Sequence, residues 1–289
     1  MLKDLLPSYG IEPRKFCLRK GGFNRNFIVE ASQGIYFVKE RKGRNASNRS
    51  STDAEISCFL HPIIGTANPI RNKDGHFTTN QNGSSYTVFE FLDGEDYREE
   101  EFLEFAEVLR RFHSEMRSYN GTLFNGNDAL KQSYELIDAM PQFGRYLDSI
   151  LKDMEGQEKT IIHSDLHAGN AKFRNGKLIP FDFEFSHEDY RIFDVANTLI
   201  CLAALNPYEL DYTDARSFIR RCELDMKKAG EFVRKYGIDA KALPSALQLA
   251  WISWSLYTFK NLECSEETRR ASLYFPEFVE QNKQRIERL

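Results

Sequence analysis

The side chains best suited to chemistry lie in one decapeptide, Ile161–Asn170, "IIHSDLHAGN". His163, Asp165 and His167 alternate, so an extended strand would turn all three the same way. Two chemistries suit these residue types. A His-x-Asp-x-His run can begin a transition-metal site, which also needs further ligands and an open position. The other histidines, His61, His76, His113 and His187, are not paired at ligand spacing, although Asp182, Glu184 and Asp189 could add oxygens. Phosphoryl transfer is the second chemistry. It asks for metal-held phosphates, a cation on the phosphates and a group that orients the nucleophile. On that reading Asp165 accepts or orients the proton of a substrate hydroxyl. Asn170, five residues on, binds magnesium through its amide oxygen.

A hard cation also wants a carboxylate. "KFRNGKLIPFDFEFS" reads as a strand pair that turns at Asn175-Gly176 and delivers Asp182 as the second metal ligand. Upstream, Lys39 ends an apolar strand and can reach the α- and β-phosphates, and Glu55 on the following helix can pair with it. The turn Lys20-Gly21-Gly22-Phe23-Asn24 can cover the phosphates, where glycine permits close backbone approach. Glu90-Phe91-Leu92 can offer carbonyl and amide groups of Glu90 and Leu92 to an adenine edge. No GxxxxGK[ST] run is present, which argues against a P-loop NTPase. Each residue alone has an ordinary structural role; their order and spacing favour phosphoryl transfer.

These residues need elements to position them. Lys15–Leu18, Asn26–Glu30 and Ile35–Lys39, joined by glycine-bearing turns, read as an antiparallel meander. The basic run 41–50 reads as a mobile loop. A helix is expected from Ser51, with Ile56, Phe59 and Leu60 on one face, stopping at His61-Pro62. Further strands are expected at His76–Thr79 and Tyr86–Leu92, and Asp93-Gly94 breaks the second. Beyond it Glu99–Arg117 is strongly helical, Lys131–Leu151 is helical with an interruption at Pro141, and residues from Asp194 onward read mostly as helix. The expected organisation is α+β: a small antiparallel-sheet N-lobe over residues 1–92 and a larger, mostly helical C-lobe over 93–289.

Bulk composition narrows the classes. A net charge of −4 leaves no electrostatic footprint for nucleic acid. The most apolar C-terminal run, Leu249–Leu256, is too short and polar to span a bilayer, and the N-terminus lacks the apolar core of a signal peptide. Five scattered cysteines, none in a CxxC pair, fit reduced thiols in a cytoplasmic protein.

With "IIHSDLHAGN", "LIPFDFEFS" and "RIFDVANTL" in that order, the chain resembles the aminoglycoside phosphotransferase/choline kinase family. The resemblance implies a two-lobed protein-kinase-like fold and an ATP- and magnesium-dependent small-molecule kinase, with GTP as an alternative donor. It implies Asp165 as catalytic base, Asn170 and Asp182 on magnesium, and Lys39 and Glu55 as the phosphate-binding lysine and its partner. Asp53 is close to Glu55, and the helix register is inferred. His163 is expected to buttress the loop, and Asp194 to hydrogen-bond it from the start of a helix. His167 would either donate a hydrogen bond near the γ-phosphate or pack. The family's usual glycine before the catalytic aspartate is Ser164 here. Protein kinases carry Asp-Phe-Gly where this chain has Asp182-Phe183-Glu184, and the interval from Asp182 to Asp194 is too short for a regulated activation segment. A small hydroxyl acceptor is therefore expected rather than a protein: an amino alcohol such as choline or homoserine, a sugar, or an aminoglycoside. Trp251 and Trp254 could offer cation–π faces to a quaternary ammonium or fill the core. Glu209, Asp211 and Asp214 could form an acidic pocket or a solvated face. A catalytically silent kinase-like binding or structural protein is the contrasting reading.

Overall fold

The computed structural model describes residues 2–19, 24–43, 45–124, 129–205 and 223–289. The chain forms two compact units, and each draws on separate stretches of sequence. The first comprises Met1–Tyr97, Ser118–Gly126 and Gly169–His187; the second comprises Arg98–Arg117, Asn127–Ala168 and Glu188–Leu289.

In the first unit, strands β1 (Pro13–Arg19), β2 (Arg25–Ala31), β3 (Gly34–Lys42), β4 (Thr78–Gln81) and β5 (Ser84–Glu90) form one antiparallel sheet ordered β1-β2-β3-β5-β4. The expected meander is present. Period-two alternation buries Phe27 and Val29 on β2, and Val38 and Val88 join them across the sheet. The N-terminal turns seat Leu5, Leu6, Tyr9 and Ile11 on this same core. Full burial of each such side chain contributes about 2 kcal/mol.

Helix α1 (Ala46–Ile64) begins four residues after the end of β3 and exceeds its expected span at both ends. The run 41–50 is not a loop: β3 takes its first two residues and α1 its last five. Its polarity hid the helix because the positions buried early in α1 include Ser50, Thr52 and Asp53 rather than an apolar stripe. At the other end Pro62 lies within the last turn, where a proline removes one hydrogen bond without ending the helix. Gly65 ends it in a left-handed conformation, φ 76, and donates its N–H to the His61 carbonyl at 2.9 Å. Such a glycine is a common helix stop.

The hairpin β6 (Ala171–Arg174) and β7 (Lys177–Pro180) completes the first unit. Asn175 and Gly176 both have positive φ, 53 and 74. A tight two-residue hairpin turn requires that conformation. Thr66 donates its hydroxyl to the Pro180 carbonyl at 2.6 Å, joining the end of α1 to this hairpin.

The second unit is helical: α2 (Phe102–Met116), α3 (Ala129–Leu136), α4 (Gly144–Met154), α5 (Arg191–Ala203), α6 (Met226–Tyr236) and α7 (Leu243–Asn261). Helix α2 buries Phe102, Phe105, Ala106, Leu109, Phe112 and Met116 at the expected helical spacing. Pro141 falls between α3 and α4, as its sequence position suggests. Helix α7 buries residues around its whole circumference, and α3, α4 and α5 pack on it. Among the described residues no helix is long and apolar enough to cross a membrane.

Candidate active site

In the first unit a cluster of buried charges surrounds Lys39. The Lys39 ammonium lies 2.9 Å from Asp53 Oδ2 and 2.6 Å from Asp182 Oδ1. The lysine's partner on α1 is therefore Asp53. Glu55 points elsewhere, and its carboxylate accepts the N–H of Thr122 at 2.9 Å. The helical period explains the difference. Asp53, Ile56, Ser57 and Leu60 are spaced by three and four residues and are all buried, whereas Glu55 is off that face. Counting back three positions from Ile56 reaches residue 53, so the apolar markers in the sequence carried the register.

Arg41, which the sequence placed in a loop, is fully buried two residues beyond Lys39. Its guanidinium bonds Asp53 and Glu184, and Arg49 lies 3.1 Å from Glu184. Asn24 Nδ2 donates to both Glu184 oxygens at 3.0 Å, while Asn24 Oδ1 accepts from Arg49 at 2.6 Å. Lys39, Arg41 and Arg49 thus offset Asp53, Asp182 and Glu184. Burial alone would raise Asp53 and Glu184. The cations override it: Lys39 and Arg41 hold Asp53 below the usual carboxylate range, and Arg41, Lys39 and Arg49 do so for Glu184. For Asp182 burial prevails and pushes the carboxyl up to about 6, against the pull of Lys39. Burial works against the charge of Lys39 too, yet Asp182 and Asp53 keep its pKa raised.

Asp182 and Asn170 flank the open end of the β6–β7 hairpin. Ala171 pairs with Pro180, and one step further Phe181 donates its N–H to the Asn170 carbonyl at 3.0 Å. Asp182 itself is left-handed, φ 69. That conformation costs a non-glycine residue about 1–2 kcal/mol. The next amide, Phe183 N–H, donates to Asp53 Oδ1 at 2.9 Å, so Asp53 holds both Lys39 and the backbone after Asp182. A carboxylate and an amide oxygen at one hairpin end are the hard donors that magnesium takes.

Asp165 belongs to the second unit, in a loop rather than a strand. The strand Lys159–Ile162 ends before His163, and a single 3-10 turn, Ala168–Asn170, follows His167. Asp194, in the first turn of α5, organises this loop. Its carboxylate accepts the N–H of His163 at 2.7 Å and of Ser164 at 2.9 Å, and His113 Nε2 lies 2.9 Å away. A carboxylate only accepts, so His113 Nε2 carries the shared proton. His113 Nδ1 meets the Tyr236 hydroxyl at 2.6 Å. Burial would raise Asp194, but His113 and the loop amide hold it below the usual range. His163 packs against Phe112, and its Nδ1 accepts the Asp165 N–H at 3.3 Å. His167 Nε2 lies 3.7 Å from Asp165 Oδ1.

Ser164 is left-handed, φ 70, and its carbonyl accepts from Asn197 Nδ2 at 2.6 Å. Asn197 Oδ1 in turn accepts the indole N–H of Trp254 at 2.8 Å. The two tryptophans have separate roles. Trp251 is fully buried, stacks on Phe275 at 4.7 Å and donates to the Ser272 carbonyl, so it is core. Neither Asn197 nor Arg41 was singled out in the sequence, since a helical asparagine and a strand-end arginine carry no motif signal.

Gly21 and Gly22 lie outside the described residues, as do Glu209, Asp211 and Asp214. At the adenine-edge candidates, the Glu90 N–H already donates to the Asn68 carbonyl at 2.8 Å, which narrows the expectation there to the Glu90 carbonyl and Leu92.

The fold is that of the protein-kinase-like small-molecule kinases. An amicoumacin kinase, hAmiN, solved with AMP-PNP, Ca2+ and Ami, superposes with a TM-score of 0.73 at 16% identity, over 97% of this chain and 92% of that one. A microcompartment-associated aminopropanol kinase gives 0.69 at 12% identity, over 98% and 96%. Choline kinase LicA from Streptococcus pneumoniae gives 0.66 at 14% identity, over 97% and 98%. No curated protein matches the sequence significantly. The profile of the phosphotransferase enzyme family matches residues 18–224, and the chain belongs to that family.

Proposed function

We propose that this phosphotransferase moves the γ-phosphoryl group of ATP to a hydroxyl of a small molecule, using magnesium. The observation that carries this reading is the shared grip on Lys39: its ammonium is buried between Asp53 and Asp182, as a phosphate-binding cation beside a metal carboxylate would be. Lys39 would meet the α- and β-phosphates, and Asp53, not Glu55, would orient it. Asp165 would accept or orient the proton of the acceptor hydroxyl, on a loop that Asp194 fixes. Magnesium, held by Asp182 and Asn170 with phosphate oxygens and water completing its shell, would offset charge on the transferring group. His167, 3.7 Å from Asp165, is close enough to tune that carboxylate's surroundings.

Amine-bearing alcohols are the acceptor class we favour, because similar structures are named for amicoumacin, aminopropanol and choline. A protein acceptor is disfavoured by the short interval between Asp182 and Asp194. The test is an ATP-consumption screen with magnesium against choline, ethanolamine, 1-amino-2-propanol, homoserine, simple sugars and kanamycin, repeated with GTP. At least one acceptor should raise turnover above the acceptor-free rate, and Asp165→Asn should remove the increase. Nucleotide binding with no acceptor-stimulated turnover would replace this reading with the catalytically silent one.

A further inference from the structure

The Ser164 residue is gripped at both of its peptide groups. Its N–H donates to Asp194 Oδ1 at 2.9 Å, and its carbonyl accepts from Asn197 Nδ2 at 2.6 Å. Between those bonds Ser164 holds a positive φ of 70. L side chains resist that conformation. Asn197 is fully buried within α5. Its amide must therefore find protein partners. It has two of opposite kind: the Ser164 carbonyl takes the NH2 group, and the Trp254 indole N–H, 2.8 Å away, takes the oxygen. Only one orientation of the amide satisfies both, so Trp254 fixes which end of Asn197 faces the loop.

The Ser164 carbonyl belongs to the peptide plane that enters Asp165. Holding that oxygen fixes the plane and with it the direction from which the Asp165 side chain departs. We infer that Asn197, oriented by Trp254, is a positioning residue for Asp165: it holds Ser164 in its left-handed conformation and so aims the carboxylate at the acceptor hydroxyl. This assignment rests on the reading of Asp165 given above. A purely packing role for Asn197 would weaken α5 against α7 but would be indifferent to which residue occupies position 164.

That difference is the test. Glycine adopts positive φ at no steric cost, so it should need the brace less. Asn197→Ala is measured in the parent and in a Ser164→Gly background by magnesium-dependent ATP turnover. The acceptor is the best of the panel or, failing any, water. In the parent, kcat should fall about tenfold with the KM for ATP within about twofold. In the glycine background the same substitution should cost less than about threefold. Trp254→Phe, which removes the indole donor and keeps an aromatic ring, should show the same suppression from a smaller loss, and it stands in if Asn197→Ala does not fold. Equal losses in both backgrounds, or a rise in KM with kcat unchanged, would overturn the assignment. Asp165→Asn separates the two ideas. If it retains full turnover, the catalytic reading fails; if it is inactive while the Ser164→Gly background rescues nothing, only the positioning role fails.

Discussion

Asp53 Oδ2 stands 2.9 Å from Lys39 Nζ, and Asp53 Oδ1 takes the Phe183 N–H at 2.9 Å, so one aspartate holds the lysine and the backbone beside Asp182. Removing it takes one buried carboxylate from both Lys39 and Arg41, leaving them only Asp182 and Glu184. Asp53→Ala should therefore destabilise the protein by about 3–5 kcal/mol, the cost of breaking a buried pair from one side. Glu55→Ala, losing one hydrogen bond to Thr122, should cost about 1 kcal/mol. Urea unfolding separates the two. The KM for ATP should rise in the Asp53 variant and stay near parent in the Glu55 variant. The reverse pattern would restore Glu55 as the lysine's partner.

Asp165→Asn removes the proposed proton acceptor and keeps the shape. We expect kcat to fall about a thousandfold while the KM for ATP changes less than about threefold. Single-turnover phosphoryl transfer to the best acceptor of the panel is the measurement.

Asp194 makes folding stability depend on pH in a definite direction. Its folded pKa lies below the ordinary 3.8. Its contribution is therefore complete above that ordinary value and is lost as pH falls through the lower folded one. The melting temperature of the parent should exceed that of Asp194→Asn near neutrality. The gap should narrow as pH drops below about 4, the unfolded carboxylate range. A gap independent of pH would show that the two loop hydrogen bonds matter and the carboxylate charge does not.

Trp251 belongs to the core. Trp251→Ala should cost about 3–5 kcal/mol, and Trp251→Phe less, with acceptor KM unmoved in the phenylalanine variant. A selective rise in acceptor KM for Trp251→Phe would return that ring to the acceptor pocket.

Chelation of divalent ions should stop ATP turnover, and added magnesium or manganese should restore it. Calorimetric titration of the metal with a non-hydrolysable ATP analogue should show tighter joint than separate binding, because the two oxygens proposed as ligands, from Asp182 and Asn170, would leave most of the ion's shell to the phosphates and water.

The legible parts of this chain were those whose physics is local. The strand meander showed its alternation, Asn175-Gly176 its turn, α2 its phenylalanine stripe, and 163–196 its motif. What the sequence hid depended on burial of polar groups. Arg41 and Ser50, within the basic run read as a loop, looked like solvent-facing residues because a polar group satisfied inside a protein has the same letter as one satisfied by water. The choice between Asp53 and Glu55 turned on two residues of helical rotation, more than half a turn, which Ile56 and Leu60 could have settled. Asn197 gave no sign, since its partners, a backbone carbonyl and an indole 57 residues away, are set by tertiary packing.

The interleaving of the two units constrains how the protein is made. The first unit needs Gly169–His187, which carries the β6–β7 hairpin and Asp182, yet ribosomes deliver this segment only after Arg98–Arg117 and Asn127–Ala168 of the second. The second, in turn, waits for α7, whose partners α3, α4 and α5 are all synthesised earlier. Folding during translation therefore cannot proceed as one finished module followed by another. A fragment ending at residue 92 would carry all five strands of the sheet, with Lys39 and Asp53, but not the carboxylate of Asp182, so the charge cluster remains unfinished until nearly two-thirds of the polypeptide has emerged.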